Sequence, residues 1–316
     1  MKRAPRRNLK IEDCWLYAIA SPADLARRLS TRAHILTESD LEKFSRDAGN
    51  YKLFTLKQGS RKRDIQQPKP PLQRIHLRIH ELLSRVEVPK YLHSAVKGKS
   101  YISNADAHMA DTEQPTVKID IKKFFASVPA DAILKFFLET MRCRRDAARI
   151  LADLLSFNAR LPTGSSASPI ISYYAYKPMF DAIERLAASR SLTMTCYVDD
   201  MTFSGPTASR SVVQEARKII AGFGLKSHKA KSFSASSPKV ITGVCLTANG
   251  KRVPNKLHLK IKQGFEAVAA AQTPSEKLKA ANPLMGRLEA AGQIDPTFKA
   301  RATTLRAKLR SEQHRS

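Results

Sequence analysis

Apolar and polar residues alternate along Tyr51-Lys52-Leu53-Phe54-Thr55-Leu56-Lys57, which is the period of a strand. Gln58-Gly59-Ser60 follows as a turn and Arg61-Lys62-Arg63-Asp64-Ile65 as the return, so the stretch reads as a basic hairpin. Residues 11–50, ahead of it, look helical. Ser21-Pro22 can start a helix carrying Leu25, Ala26 and Leu29, and Thr37-Glu38-Ser39-Asp40 can start the next. Pro70-Pro71 opens a further helix with Leu72, Ile75, Ile79, Leu82 and Leu83 at helical spacing. His76 and His80 on that helix read as surface or packing residues rather than ligands.

Thr116-Val117-Lys118-Ile119-Asp120-Ile121 is a short β-branched run. Amphipathic helices are expected over 130–141 and 145–157, and one long helix from about 169 to 189. Residues 194–197 and 201–203 form two β-prone arms around Val198-Asp199-Asp200, which reads as a second hairpin. A helix over 211–223 would back the sheet these strands make. Residues 251–310 are Ala-, Leu- and Lys-rich and mainly helical, with a break at Asp295-Pro296.

Composition changes this picture in one respect. Lys and Arg total 55 against 28 acidic residues, a net charge of +27, while hydrophobic content is 42%. That is enough apolar material for a globular core, and the charge surplus calls for a polyanion, with nucleic acid the natural partner. No apolar run reaches the length of a spanning helix and no signal-peptide pattern appears, so no membrane partner is expected. The basic start Met1-Lys2-Arg3-Ala4-Pro5-Arg6-Arg7 reads as a flexible arm. The four cysteines, Cys14, Cys143, Cys196 and Cys245, are far apart without a Cys-x-x-Cys pair. A zinc site or disulfide framework is not expected, and a cytoplasmic location is.

Chemistry enters with the carboxylates. Asp199-Asp200 at a tight turn fits an ordinary solvated turn or a tip screened by a cation. A third carboxylate, Asp120, at the end of the upstream strand opens the possibility that all three converge on hard divalent ions. Magnesium takes oxygen ligands and substrate phosphates, and a pair of such ions roughly 3.5–4 Å apart supports in-line phosphoryl transfer. The constellation therefore points to nucleotidyl transfer.

These residues carry a resemblance. Tyr197-Val198-Asp199-Asp200 resembles the Tyr-x-Asp-Asp box of reverse transcriptases, and Ile119-Asp120-Ile121-Lys122-Lys123-Phe124-Phe125 their first carboxylate motif. Leu161-Pro162-Thr163-Gly164, between the two, resembles their Leu-Pro-x-Gly segment, with Thr163 where many members have Gln. Asn104-Ala105-Asp106-Ala107-His108 resembles the Asn-Ala-x-x-His element of bacterial retron enzymes. Ile241-Thr242-Gly243 resembles the retron Val-Thr-Gly triplet, with Ile for Val. The likeness covers roughly residues 50–260.

The resemblance implies an α+β, right-hand polymerase fold. Residues 1–50 would be an N-terminal helical region, 51–250 fingers and palm, and 251–316 a helical thumb with a basic C-terminus. It implies an RNA-directed DNA polymerase in which Asp120, Asp199, Asp200 and the Ile121 carbonyl hold two Mg2+ ions. Arg63 would contact the incoming deoxynucleoside triphosphate and Phe125 would exclude a 2′-hydroxyl. Gly164 would let the backbone approach the nucleotide, and Lys231 would assist the pyrophosphate leaving group. Asn104, His108, Thr242 and Gly243 would serve RNA binding or structure.

A retron enzyme would bind its cognate structured non-coding RNA and copy part of it from an RNA 2′-hydroxyl into single-stranded DNA (msDNA). It would act in anti-phage defence with a separate effector protein. The other readings are a reverse transcriptase of group II intron or abortive-infection type, and a catalytically silent RNA-binding scaffold. The maturase and endonuclease extensions expected of an intron enzyme are not seen in this sequence, and the three retained carboxylates weigh against a scaffold.

Overall fold

Three antiparallel sheets and three hydrophobic clusters organise the chain, and the computed structural model describes residues 8–58 and 61–313. The basic arm at 1–7 and the turn residues Gly59 and Ser60 lie outside the described residues.

Helices α1 (Pro22–Leu29) and α2 (Glu38–Arg46) start where their caps predict. Ser21 Oγ accepts the Asp24 N–H, and Thr37 with Asp40 forms a reciprocal capping box. Strands β1 (Tyr51–Gln58) and β2 (Arg61–Pro68) pair antiparallel as the basic hairpin. Helix α3 (Pro70–Leu83) buries Leu72, Ile75, Ile79, Leu82 and Leu83, as its periodicity requires. A short helix α4 (Tyr101–Asp106) precedes strand β3 (Thr116–Ile121).

The next helices correct the expected spans. α5 (Phe124–Ser127) is one turn, and α6 (Ala130–Lys135) passes into a wider π turn over Phe136–Thr140. α7 (Arg145–Leu154) stops three residues short of Phe157, which instead pairs with Arg160 in a turn. The single helix expected over 169–189 is two, α8 (Ser168–Ala175) and α9 (Lys177–Ala188), divided at Tyr176. Pro178 is the reason: it has no N–H to give and its ring crowds the carbonyl four residues back, so a fresh helix begins there.

Strands β4 (Thr193–Tyr197) and β5 (Asp200–Ser204) make the acidic hairpin, and α10 (Arg210–Gly222) follows. β6 (Ser227–Phe233) completes a four-stranded sheet ordered β4-β5-β3-β6, backed by α9 and α10. β7 (Lys239–Ile241), β8 (Val244–Thr247) and β9 (Gly250–Arg252) form a small third sheet. The end of the chain is three helices: α11 (Asn255–Ala270), α12 (Pro274–Gly292) and α13 (Pro296–Gln313). The break at Asp295-Pro296 is present, and a second lies before the capping box of Thr273 and Glu276.

One core runs from Cys14 to Leu225, so the N-terminal helices share it with β3, β4 and β5. A second, from Val253 to Leu305, belongs to the terminal helices. Between them sits a small cluster of Ala105, Ile241, Val244 and Leu246. The overall class is α+β. Among the described residues no helix is long and apolar enough to cross a membrane.

Candidate active site

Strand alternation exposes the chemistry. On β3, Val117, Ile119 and Ile121 are buried while Lys118 and Asp120 project to the other, more open face. Asp120 lies directly opposite Asp200 on β5 and opposite His228 on β6. The acidic hairpin closes in two residues, Val198 and Asp199, since Tyr197 pairs with Asp200. Val198 takes a left-handed φ of 62°, strained for a β-branched residue, and its N–H donates to Ser94 Oγ at 2.9 Å. The Asp199 carbonyl accepts the Ile121 N–H at 3.0 Å, which pins the hairpin tip to the end of β3. The three carboxylates predicted from sequence are therefore brought to one end of the sheet, at its two central strands.

Basic groups accompany them. Lys118 Nζ stands 2.7 Å from Asp200 Oδ2. His228 Nδ1 lies 2.9 Å from Asp120 Oδ1, yet neither atom has a partner in hydrogen-bond geometry, which leaves a buried carboxylate oxygen unsatisfied. Burial, then the neighbouring Asp120, pushes the Asp199 carboxyl up to about 6. Burial also raises Asp120, against the opposing charges of His228 and Lys229. Among the described residues no three His, Cys, Asp or Glu side chains stand as a metal-holding cluster, two of the carboxylates being turned to Lys118 and His228. The donors nevertheless fit a hard cation: they are all oxygen, like-charged, half-buried, and one is an orphaned acceptor.

Around this centre the other predicted residues divide. Arg63 is exposed on β2, and its charge reaches Asp199. Phe125 is half-buried on α5 and stacks on Phe124 with ring centroids 6.2 Å apart. Lys231 is exposed on β6 opposite Lys118; the β6 lysine whose charge acts on Asp120 is Lys229.

Gly164 requires a correction. A Cβ there would stand 2.8 Å from the Gln66 carbonyl and 2.9 Å from the Gln67 Cα, so the close approach it permits is to β2 rather than to a ligand. Its own N–H donates to the Gln66 carbonyl at 3.1 Å. Thr163 has a structural account too: its Oγ1 donates to the Asp64 carbonyl at 2.9 Å, and its N–H donates to Gln66 Oε1 at 3.1 Å. These contacts fasten the basic hairpin to the loop before α8.

Asn104 and His108, expected to serve RNA binding or structure, are both 0% exposed, so of the two their packing supports structure. His108 bridges Ser204 Oγ at 2.6 Å and Thr195 Oγ1 at 2.8 Å at the base of the acidic hairpin. Asn104 Nδ2 donates to Thr242 Oγ1 at 3.4 Å, and Thr242 Oγ1 donates to the Tyr101 carbonyl at 2.7 Å. Gly243 is exposed beside them with φ 89°. The two retron-like segments are thus one packed unit.

Sequence reasoning missed Lys118, Ser94, His228 and Lys229. Lys118 was findable, since it lies two residues before Asp120 and so on the same strand face. The others depend on pairings between distant segments.

The chain matches the family model described as reverse transcriptase (RNA-dependent DNA polymerase) over residues 59–265. It is 29% identical over 175 residues to the retron Se72 reverse transcriptase of Salmonella heidelberg (strain 579083-10), covering 54% of this chain and 45% of that protein. It is 27% identical over 243 residues to the retron Mx162 reverse transcriptase of Myxococcus xanthus, covering 66% and 49%. With the retron Ec86 reverse transcriptase of Escherichia coli it shares 24% identity over 207 residues, covering 62% and 63%. The chain thus covers between 45% and 63% of these curated relatives. A foamy viral protease-reverse transcriptase in complex with double-stranded DNA aligns over 96% of this chain and 45% of its own, at a TM-score of 0.47 and 15% identity.

Proposed function

The chain belongs to the reverse transcriptase (RNA-dependent DNA polymerase) family, and from that membership we propose that it is a retron enzyme which copies its cognate structured RNA into single-stranded DNA. The observation that carries the chemistry is the register that sets Asp120 opposite Asp200, with Asp199 in the adjoining turn, at one end of the β3–β5 ladder. Asp120 and Asp199, with the Ile121 carbonyl and with Asp200 adding charge, would hold two Mg2+ ions. Those ions, when bound, supply activation of the attacking hydroxyl and neutralisation of the phosphates.

The protein's own groups do the positioning. Arg63, exposed on the basic hairpin, offers a planar fork to the triphosphate. Thr163 and Gly164 hold that hairpin over the site. Phe125 presents bulk where a ribose 2′-hydroxyl would sit. Lys118 pairs with Asp200 and His228 stands beside Asp120, so each of these carboxylates has a basic neighbour at the site. Residues 51–250 act as fingers and palm, and 251–316 as thumb.

Priming from an RNA 2′-hydroxyl, an msDNA product and a defence role with a separate effector protein complete the reading. The retron relatives support it, as does the packing of the two retron-like segments against each other. A primer-extension assay with Mg2+ on an RNA template tests the polymerase step. Asp120→Asn and Asp199→Asn should each lower DNA synthesis by at least about a thousandfold, since a lost metal ligand costs several kcal/mol. RNA affinity should hold, because it comes from the basic surface. Synthesis within about tenfold of the parent would remove these residues from the chemistry. The retron assignment needs a short DNA joined to RNA by a 2′,5′ linkage in protein purified from its native host; linear DNA alone would overturn it.

A further inference from the structure

Beneath the loop that carries Thr163 and Gly164 lies a fully buried histidine. His76, on α3, is 0% exposed and engages both ring nitrogens. Its Nε2 stands 2.7 Å from the Leu154 carbonyl, which can only accept, so Nε2 carries the proton. Burial holds the imidazole at about 4 and therefore neutral near pH 7, which leaves Nδ1 as an acceptor. The Ser165 hydroxyl, 2.7 Å away, is then the donor to Nδ1, and its oxygen accepts the Ala167 N–H at 3.0 Å. One tautomer satisfies each of these groups.

Both strands of the basic hairpin lead back to this ring. On one side, the two residues before Ser165 grip β2: the Gly164 N–H donates to the Gln66 carbonyl at 3.1 Å, and Thr163 Oγ1 donates to the Asp64 carbonyl at 2.9 Å. On the other side, the Leu154 carbonyl also accepts the Tyr51 hydroxyl at 3.5 Å, and Tyr51 opens β1. The loop is closed on itself as well, since Ser168 Oγ donates to the Pro162 carbonyl at 2.7 Å. It is therefore a stiff link between α3 and the hairpin. Arg63, next to Asp64 in β2, has an exposed side chain, so its place is set by the strand that carries it.

We propose that His76 is a positioning residue for the incoming triphosphate: through Ser165 it fixes the 161–168 loop, the loop fixes β2, and β2 sets Arg63. The inference rests on the proposed function, in which Arg63 meets the triphosphate; the hydrogen-bonded link from His76 to β2 does not. Buried, bonded on both sides and joined to rigid neighbours, the ring limits how far the guanidinium can wander from the productive place.

The test is a mutant cycle of Ser165→Ala and Arg63→Ala, read as steady-state kcat and KM for dTTP on a poly(rA) template with an oligo(dT) primer. A grip on the triphosphate made equally in ground and transition states appears in KM. Arg63→Ala should raise KM about tenfold, and Ser165→Ala about fivefold with kcat changed by less than about twofold. The double variant should match Arg63→Ala within about twofold, because the loop has nothing left to position. A general loosening would instead lower kcat, and its effect would multiply with that of Arg63→Ala. Either that result or an unchanged KM in Ser165→Ala would overturn the proposal. Should Ser165→Ala fail to fold, Ser165→Cys keeps the volume and weakens the bond, and a KM rise of at least about twofold is expected. Amide exchange without template or nucleotide reads the link itself: β2 should exchange at least about fivefold faster in the Ser165 variant while β4 and β5 keep the parent rate. Unchanged exchange in β2 would overturn the link. Absence of DNA synthesis by the parent would strike the proposed function, and exchange would still decide whether His76 holds β2.

Discussion

Asn104 and Thr242, separated by 138 positions in the chain, meet through a side-chain hydrogen bond of 3.4 Å. Around that bond, Ala105 packs with Ile241, Val244 and Leu246, and Tyr101 donates its hydroxyl to the Ala290 carbonyl of α12 at 3.2 Å. Lys251 pairs with Asp106 at 2.8 Å on the same seam. The seam joins the sheet that carries the carboxylates to the terminal helices.

Thr242→Val removes the hydroxyl from both Asn104 and the Tyr101 carbonyl while keeping volume. Leaving those buried groups unpaired should cost about 1–3 kcal/mol, read as a lower urea midpoint with unchanged m-value. Yield of branched product should fall more than extension of an annealed primer. Unaltered stability would mean the seam is held by packing alone.

Gly164→Ala should be poorly tolerated despite its small size. The new methyl would meet the β2 backbone at the Gln66 carbonyl and the adjacent Gln67 Cα, and neither is a flexible side-chain end. A loss of about 1–3 kcal/mol is expected. The basic hairpin should also show faster amide exchange in β2. A variant as stable as the parent would show that the hairpin can step back freely.

Under the proposed function the Phe125 ring is a steric barrier to a 2′-hydroxyl, so Phe125→Ala should raise incorporation of ribonucleotides relative to deoxynucleotides by at least about tenfold. Steady-state kcat/KM for matched dNTP and rNTP pairs measures it. Equal rejection of ribonucleotides by variant and parent would place the sugar elsewhere.

Burial holds the His76 imidazole down at about 4, against a hydrogen bond with the Leu154 carbonyl that raises it. Its value in the unfolded chain is about 6.5, so between those limits the unfolded state takes up a proton that the folded state refuses. Stability from this group is complete above about pH 6.5 and is lost as pH falls toward 4. Asp199, raised to about 6, acts in the opposite sense, as its folded form holds its proton more tightly than the unfolded chain does. The comparison is therefore between parent and His76→Asn. Between pH 7.5 and pH 5 the parent should lose about 2 kcal/mol more than the variant. Parallel pH profiles would show that His76 is protonated in the fold.

Much of this was legible because it is local. The caps at Ser21 and Thr37, the apolar face of α3 and the two-residue acidic turn each follow from neighbours within a few positions. Asp120, Asp199 and Asp200 were findable because strand pairing brings short motifs together in the order the sequence displays. What escaped was non-local or was masked by function. Gly164 was read for a ligand, whereas β2 lies against it. The burial of the Asn104 and His108 side chains was not legible from their neighbours, because it depends on hydrogen bonds to Thr242, Ser204 and Thr195, which lie far along the chain. The division at Tyr176 was an oversight of Pro178, which is plain in the sequence.

The separation of the two large clusters, Cys14–Leu225 and Val253–Leu305, has a modular consequence. The terminal helices fill their own interior and touch the rest through a narrow seam at Tyr101, the β7–β9 sheet and Ile294, which packs against both the terminal and the intermediate cluster. A helical bundle from a different chain could be transplanted onto this body if it reproduced the Ile294 contact and a carbonyl for Tyr101. The graft would exchange the whole terminal bundle without repacking a single residue beneath the carboxylates.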